Sequence, residues 1–164
     1  MSSRLPLLTL VGPTASGKTQ TALVIAELLG GEIVSADSRQ IYRFMDIGTA
    51  KPTPAERSRV PHHLIDIRDP SEDYSAGEFM RDAGEKIQDI RRRGKQPILV
   101  GGSGLYVRAV IDGLFEGPGR DPELRDQLED RLQREGGATL WEVLRRIDPE
   151  SARRCDPSKP RRII

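Results

Sequence analysis

The feature that most constrains this chain is an eight-residue loop, Gly12-Pro13-Thr14-Ala15-Ser16-Gly17-Lys18-Thr19, set between an apolar run and a helical one. Leu7 to Val11 is short, apolar and bounded by Pro6 and Gly12, which predicts a buried strand. Lys18 to Leu29 carries Ala22, Leu23, Ile25, Ala26, Leu28 and Leu29, apolar on most sides, and stops at Gly30-Gly31, where glycine readily takes the left-handed cap conformation. The pattern G-x-x-x-x-G-K-[ST] between a strand and a helix is a phosphate loop. Its glycines let the backbone curl so that N–H groups converge on phosphate oxygens, and the helix N-terminus adds its positive dipole end. Lys18 supplies a point charge, and Thr19 offers a hydroxyl to a magnesium ion. Residues 12–19 are therefore expected to hold a diphosphate or triphosphate group. The loop leaves open whose phosphates these are, and whether phosphate is transferred or merely departs.

The rest of the chain extends this unit. Ile33 to Ala36 is a second strand candidate and Leu64 to Ile67 a third. Ser75-Ala76-Gly77-Glu78 has capping-box spacing. The helix it opens carries Phe79, Ala83, Ile87 and Ile90 on one face and ends at Gly94. Pro97 to Val100 reads as another short buried strand, followed by Gly101-Gly102-Ser103-Gly104 and a helix over Leu105 to Ile111. Strands alternating with helices predict a parallel sheet with helices on both faces, an α/β fold of the P-loop NTPase type. After Gly117-Pro118-Gly119 the character changes. Asp121 can cap a helix with Pro122 at its first position, Leu124, Leu128 and Leu132 line its stripe, and Gly136-Gly137 ends it. Thr139-Leu140-Trp141-Glu142 resembles a further capping box before Val143, Leu144 and Ile147. The expected organisation is an α/β core over residues 1–117 and an all-helical insertion over residues 118–164. The end, Arg161-Arg162-Ile163-Ile164, has no cap, glycine or polar tail, and reads as an element interrupted at its C-terminus.

Composition excludes several classes. The chain has 164 residues, 36% apolar and 31% charged, which fits a folded domain with a real core rather than a disordered or membrane protein. No apolar run approaches the roughly 20 residues needed to span a bilayer, and the N-terminus lacks the small-residue cleavage site of a secretory leader. The single cysteine, Cys155, precludes an internal disulfide and suits a reducing cytosol. The net charge of +1 is uninformative, but from Ser151 onward five basic residues (Arg153, Arg154, Lys159, Arg161, Arg162) face one acidic residue, Asp156. That tail is either a phosphate-contacting patch or a solvated loop.

Two further segments fall on the sheet edge that bears the phosphate loop. Asp37 follows the second strand, and in open parallel sheets the ligand crevice lies beyond the strands' carboxyl ends. A carboxylate there can take a proton from an attacking nucleophile, orient magnesium, or cap the following turn. Ser38 and Gln40 come next, and glutamine can bond adenine in a bidentate manner. Ser103, in the second glycine turn, can donate a hydrogen bond to a leaving oxygen, or simply satisfy a tight turn that needs small residues. His62 and His63 are expected to be structural, since two adjacent histidines do not make a metal site.

Taken together these segments resemble the tRNA dimethylallyltransferases, also called tRNA isopentenyltransferases. The resemblance is carried by residues 12–19, Asp-Ser-Arg-Gln-Ile-Tyr at 37–42, Gly-Thr-Ala-Lys-Pro at 48–52, His-His-Leu-Ile-Asp at 62–66, Gly-Gly-Ser-Gly-Leu-Tyr at 101–106, Asp-Pro-Glu-Leu-Arg at 121–125 and the Asp-Pro…Arg-Arg-Ile-Ile tail at 156–164. It implies transfer of a dimethylallyl group from its diphosphate to the exocyclic amine of an adenosine beside the anticodon. It implies further that Gly12, Pro13, Thr14, Ala15, Ser16, Gly17, Lys18 and Thr19 grip the diphosphate, with Mg2+ near Thr19. Asp37 would be the general base, and Ser103, where the family commonly has threonine, would polarise the leaving oxygen. Ser38 and Gln40 would hold the flipped-out adenine, and Asp37, Ser38, Arg39, Gln40, Arg125, Arg161 and Arg162 would make up the contacts with the tRNA anticodon stem-loop. Family members run well beyond Ile164. A cytoplasmic monomer with no membrane partner is expected. A P-loop kinase of a small molecule or nucleotide, and a non-catalytic RNA- or nucleotide-binding fragment, are the competing expectations.

Overall fold

A strand buried on both faces is apolar at its centre, as the two central strands of this protein are at Ile33-Val34 and Ile98-Leu99-Val100. In the computed structural model, β2 (Gly31–Ser35) and β4 (Gln96–Gly101) are buried along their whole length. They pair in parallel, flanked by β1 (Leu8–Val11) beside β4 and β3 (His62–His63) beside β2, so that the sheet order is β1-β4-β2-β3. The structure describes residues 5–13, 15–114 and 121–164. The chain divides into two compact units, Met1–Phe115 and Glu116–Ile164.

Alternation along the strands sorts the core of the first unit into two layers. Ile33, Ile98 and Val100 point to one face, where α1 (Lys18–Leu29) covers them with Ala22, Leu23 and Ala26. Val34 and Leu99 point to the other, where α3 (Ala76–Arg92) lays down Phe79, Ala83, Ile87 and Ile90, joined by Tyr106 and Val107 of α4 (Gly104–Asp112). Phe79 stacks on Tyr106 with ring centroids 4.3 Å apart. The Ser75–Glu78 capping box that opens α3 is present in both directions.

A buried carboxylate with a half-exposed arginine partner ties the sheet to the end of α3. Glu32 is 5% exposed. It accepts hydrogen bonds from the two terminal guanidinium nitrogens of Arg93, and His63 Nε2 lies 2.7 Å from its carboxylate. The hydrogen bond from Arg93, helped by His63 and outweighing the cost of burial, holds the Glu32 carboxyl down to about 2 from its usual 4.5.

The structure departs from the sequence expectation in four elements. The third strand is His62–His63 rather than Leu64–Ile67, because Leu64 (φ 62°) and Asp66 (φ 58°) take left-handed conformations that an extended strand cannot contain. A short helix, α2 (Pro54–Arg59), was not anticipated, although Thr53-Pro54-Ala55-Glu56 carries its complete capping box. In the second unit, α5 (Pro122–Glu135) is capped by Asp121 as expected. The next helix, α6 (Gly137–Ile147), starts at the glycine pair, so Thr139 lies inside it, bonding back to the Glu135 carbonyl at 3.0 Å, and is not its cap. The fourth departure is α7 (Pro149–Arg154), with Asp148 as its cap, followed by a 3-10 turn at Pro160–Arg162. Leu140 and Ala152 are the buried centre of this unit, and the Trp141 indole N–H donates to the Ala152 carbonyl at 3.3 Å. No described helix is long and apolar enough to cross a membrane.

Candidate functional site

The carboxyl ends of β1, β2 and β4 open onto a cavity of about 700 Å³ within the first unit. Its rim is built from four loops: residues 13 and 15–19, residues 37–40, residues 48–50, and residues 101–103. Ile33, Ser35, Val100 and His62 form part of its inner wall.

The phosphate loop has the backbone that anion binding requires. Ala15 (φ 63°) and Gly17 (φ 82°) are both left-handed, which turns successive N–H groups inward. Gly17 precedes α1 with no side-chain cap, so the first-turn amides of that helix and its dipole are presented to a ligand. The half-buried Lys18 donates its ammonium to the Pro13 carbonyl and reaches Ser16 Oγ at 3.5 Å, so its charge sits within the loop. Thr19 is half-buried in the first turn and lines the cavity. Thr14 lies outside the described residues.

Across the cavity, Asp37 and Ser103 are brought together by a close approach of two strand ends. The Ala36 N–H donates to the Val100 carbonyl at 2.7 Å, and the Ser103 N–H donates to the Ala36 carbonyl at 3.2 Å. Gly101 makes this approach possible: a Cβ there would stand 2.0 Å from the Ala36 carbonyl oxygen. Ser103 Oγ accepts the Ser38 N–H at 2.8 Å and lies 3.1 Å from Ser38 Oγ, so that the two hydroxyls form one pair. One oxygen of Asp37 accepts the Arg39 N–H at 2.9 Å, the turn-capping role. Its other oxygen has no donor among the described residues, which keeps a lone-pair face available to a substrate.

Gln40 lines the same cavity with its amide committed to the protein. Its carbonyl accepts Ser35 Oγ at 2.9 Å, and its NH2 donates to the carbonyls of Thr49 and Ala50 at 3.1 and 3.0 Å. It thus straps the residue 48–50 rim to the end of β2. Arg39 is exposed at the rim, and its guanidinium makes no hydrogen bond or ion pair among the described residues.

Three further residues that hold this rim, Lys51, Asp66 and Arg57, had no role in the sequence expectation. Lys51, whose side chain is 7% exposed, donates to the Tyr42 carbonyl, to Asp46 and to Asp66 at 2.7, 2.9 and 2.7 Å. Arg57 of α2 reaches the other Asp66 oxygen at 2.8 Å. Burial alone would lower the affinity of Lys51 for its proton, but Asp66 and Asp46 outweigh it and raise it. Burial likewise acts to raise Asp66, and Lys51 and Arg57 reverse this. Both therefore stay charged and paired. His62 is kept neutral more readily than usual by burial, with Nδ1 2.8 Å from the Val60 carbonyl. The segments Gly-Thr-Ala-Lys-Pro and His-His-Leu-Ile-Asp were legible as motifs, but their pairing across 15 residues through Lys51 and Asp66 was not.

Arg125 and Arg162 belong to the second unit. Arg125 pairs with Glu129 at 3.2 Å along α5, and Arg162 lies in the 3-10 turn. The Arg161 side chain lies outside the described set. Among the described residues no three His, Cys, Asp or Glu side chains are grouped to cage a metal. A magnesium ion held chiefly by phosphate oxygens needs only one or two protein oxygens, and the Thr19 hydroxyl and Asp37 carboxylate are on the same cavity.

Comparison with known proteins finds relatives over nearly the whole chain. A tRNA dimethylallyltransferase from Halorhodospira halophila is 56% identical over 158 residues, covering 96% of this chain and 51% of the relative. That of Thermomicrobium roseum is 53% identical over 165 residues, covering 100% and 50%. The crystal structure of the full-length tRNA isopentenylpyrophosphate transferase from Bacillus halodurans matches with a TM-score of 0.66 at 48% identity, over 96% of this chain and 52% of that one. A eukaryotic dimethylallyltransferase acting on tRNA matches with a TM-score of 0.82 at 30% identity, over 96% and 39%. The chain thus spans about half the length of the curated relatives it matches. The IPP transferase family model matches residues 40–164, and the chain belongs to that family.

Proposed function

We propose that the protein transfers a dimethylallyl group from dimethylallyl diphosphate to the exocyclic amine of an adenosine next to the anticodon of tRNA. The observation that carries this reading is that one cavity holds a phosphate loop, a carboxylate with an uncommitted oxygen and a paired serine hydroxyl. The diphosphate sits in the loop of residues 12–19 against Lys18 and the first-turn amides of α1. The bond between the allylic carbon and the diphosphate oxygen breaks, and a bond from the adenine nitrogen to that carbon forms. Asp37 accepts the proton that the amine loses. Ser103 donates to the departing oxygen, oriented by Ser38.

The residues present fit a magnesium ion beside Thr19, which would neutralise charge accumulating on the leaving diphosphate. Gln40 supports the wall against which the flipped base lies, since chemistry on a stacked base requires its extrusion. Ser38 and Arg39 border the base. Arg125, Arg161 and Arg162 contact the RNA backbone. The enzyme works as a monomer in the cytoplasm, where tRNA is found.

Equilibrium displacement of labelled dimethylallyl diphosphate tests the diphosphate assignment. Inorganic diphosphate is expected to compete, and Lys18→Ala to weaken binding by more than about tenfold, a loss of ~1.4 kcal/mol or more, in the range of a charge-assisted contact. Preferential binding of ATP, with hydrolysis, would instead support a kinase.

A further inference from the structure

The rim segment between Tyr42 and Lys51 has features that the cavity alone does not require. It is rigidly held: Lys51 pins the Tyr42 carbonyl and Asp46, Gln40 pins Thr49 and Ala50, the Thr49 hydroxyl donates to the Met45 carbonyl at 2.6 Å, and the Arg43 N–H donates to the Arg68 carbonyl at 2.8 Å. Yet within this anchored loop Phe44 is 82% exposed and Ile47 99% exposed. Phe44 also takes a left-handed backbone (φ 62°), which disfavours any residue with a bulky Cβ substituent. A strained aromatic turned largely to solvent on a braced loop contributes little burial to the fold.

We propose that Phe44 and Ile47 form a stacking platform for an unpaired base adjacent to the one that enters the cavity, with Arg39 taking the phosphate nearby. This rests on the reading that the substrate is RNA. Continuity with the cavity supports it: Gly48, Thr49 and Ala50, directly after Ile47, line the cavity itself. Extruding one base from a single-stranded loop carries its neighbours to the rim with their faces unstacked. Single-stranded RNA is bound by combining aromatic faces with cations that track the backbone. Arg39 is the cation: exposed, on the cavity rim and without an acidic partner among the described residues. Arg43 does not compete for this role, since it is bonded to Asp69 and to the Asp66 carbonyl.

The backbone strain supplies a discriminating variant. Phe44→Gly removes the ring and also relieves the positive φ, so a merely structural role predicts no loss. The readout is a fluorescence titration of an anticodon stem-loop RNA carrying 2-aminopurine beside the target adenosine, with thermal unfolding of each variant as control. Phe44→Gly is expected to unfold at the same or a higher temperature, to weaken RNA binding about tenfold, the loss of one base–aromatic stack, and to abolish the fluorescence change. Phe44→Trp is expected to restore both. If Phe44→Gly binds the stem-loop as wild type does, with the same fluorescence change, the platform is wrong while the transferase reading stands. If the wild-type protein does not bind the stem-loop at all, the RNA reading itself fails and the platform with it. If Phe44→Gly or Ile47→Ser alters self-association in sedimentation without altering RNA affinity, the apolar pair is a protein contact and the proposal is overturned.

Discussion

At the scale of single residues, the site depends on small side chains where strands converge and on charges that stay paired. Gly101→Ala would drive a Cβ to 2.0 Å from the Ala36 carbonyl, a backbone atom that cannot swing aside. It is expected to cost about 3 kcal/mol or more, beyond ordinary overpacking, measured by chemical denaturation, and to separate Ser103 from Ser38. Glu32 sets an acid limit. A carboxyl whose folded pKa is depressed contributes stability above its unfolded value near 4.5, and that contribution is lost as pH falls toward about 2. Glu32→Gln is therefore expected to lower stability at neutral pH, with the gap to wild type closing between these limits. A gap constant across that range would contradict the assignment. These residues were partly legible in the sequence. Glycine after a buried strand signals a tight turn, whereas the 61-residue separation of Glu32 and Arg93 conceals their pairing.

At the scale of elements, the helix that follows the Gly12–Thr19 motif was legible to the residue, because the local pattern sets its start at Lys18 and its stop at Gly30. The cavity's other rim was not, because it is assembled from contacts distant in sequence: Lys51 with Asp66, Gln40 with Thr49 and Ala50, α2 with the same Asp66 through Arg57. Lys51→Met is the element-level test. Losing the ammonium leaves Asp66 half-paired and Asp46 unpaired. The expected result is faster amide hydrogen exchange confined to residues 43–51 and a raised KM for RNA, with affinity for dimethylallyl diphosphate unchanged. Unchanged exchange in that loop would show that Lys51 does not brace it. The left-handed residues that displaced the expected third strand, Leu64 and Asp66, lie in this same assembly. Tertiary pairing there overrides an apolar run that by itself reads as a strand.

At the scale of the whole molecule, parallel order and two-sided helical cover followed from strand–helix alternation, and the strand order β1-β4-β2-β3 did not, since nothing local says that β4 inserts between β1 and β2. With a net charge of only +1 over these residues, RNA binding of the kind proposed would rest on individual cations rather than on a net positive field. Arg162→Ala is expected to weaken RNA binding regardless of loop sequence and to reduce the slope of log affinity against log salt by about 1, as for one lost phosphate contact. Phe44→Gly should leave that slope unchanged. In the proposed reaction Asp37, which lines the same cavity as the phosphate loop, takes the proton from an adenine amine. The most direct test incubates the protein with unmodified tRNA, magnesium and radiolabelled dimethylallyl diphosphate, alongside Asp37→Ala. Label is expected to reach tRNA with the wild type and to fall by orders of magnitude with Asp37→Ala, while diphosphate affinity is retained. Label transfer that survives Asp37→Ala undiminished would contradict it.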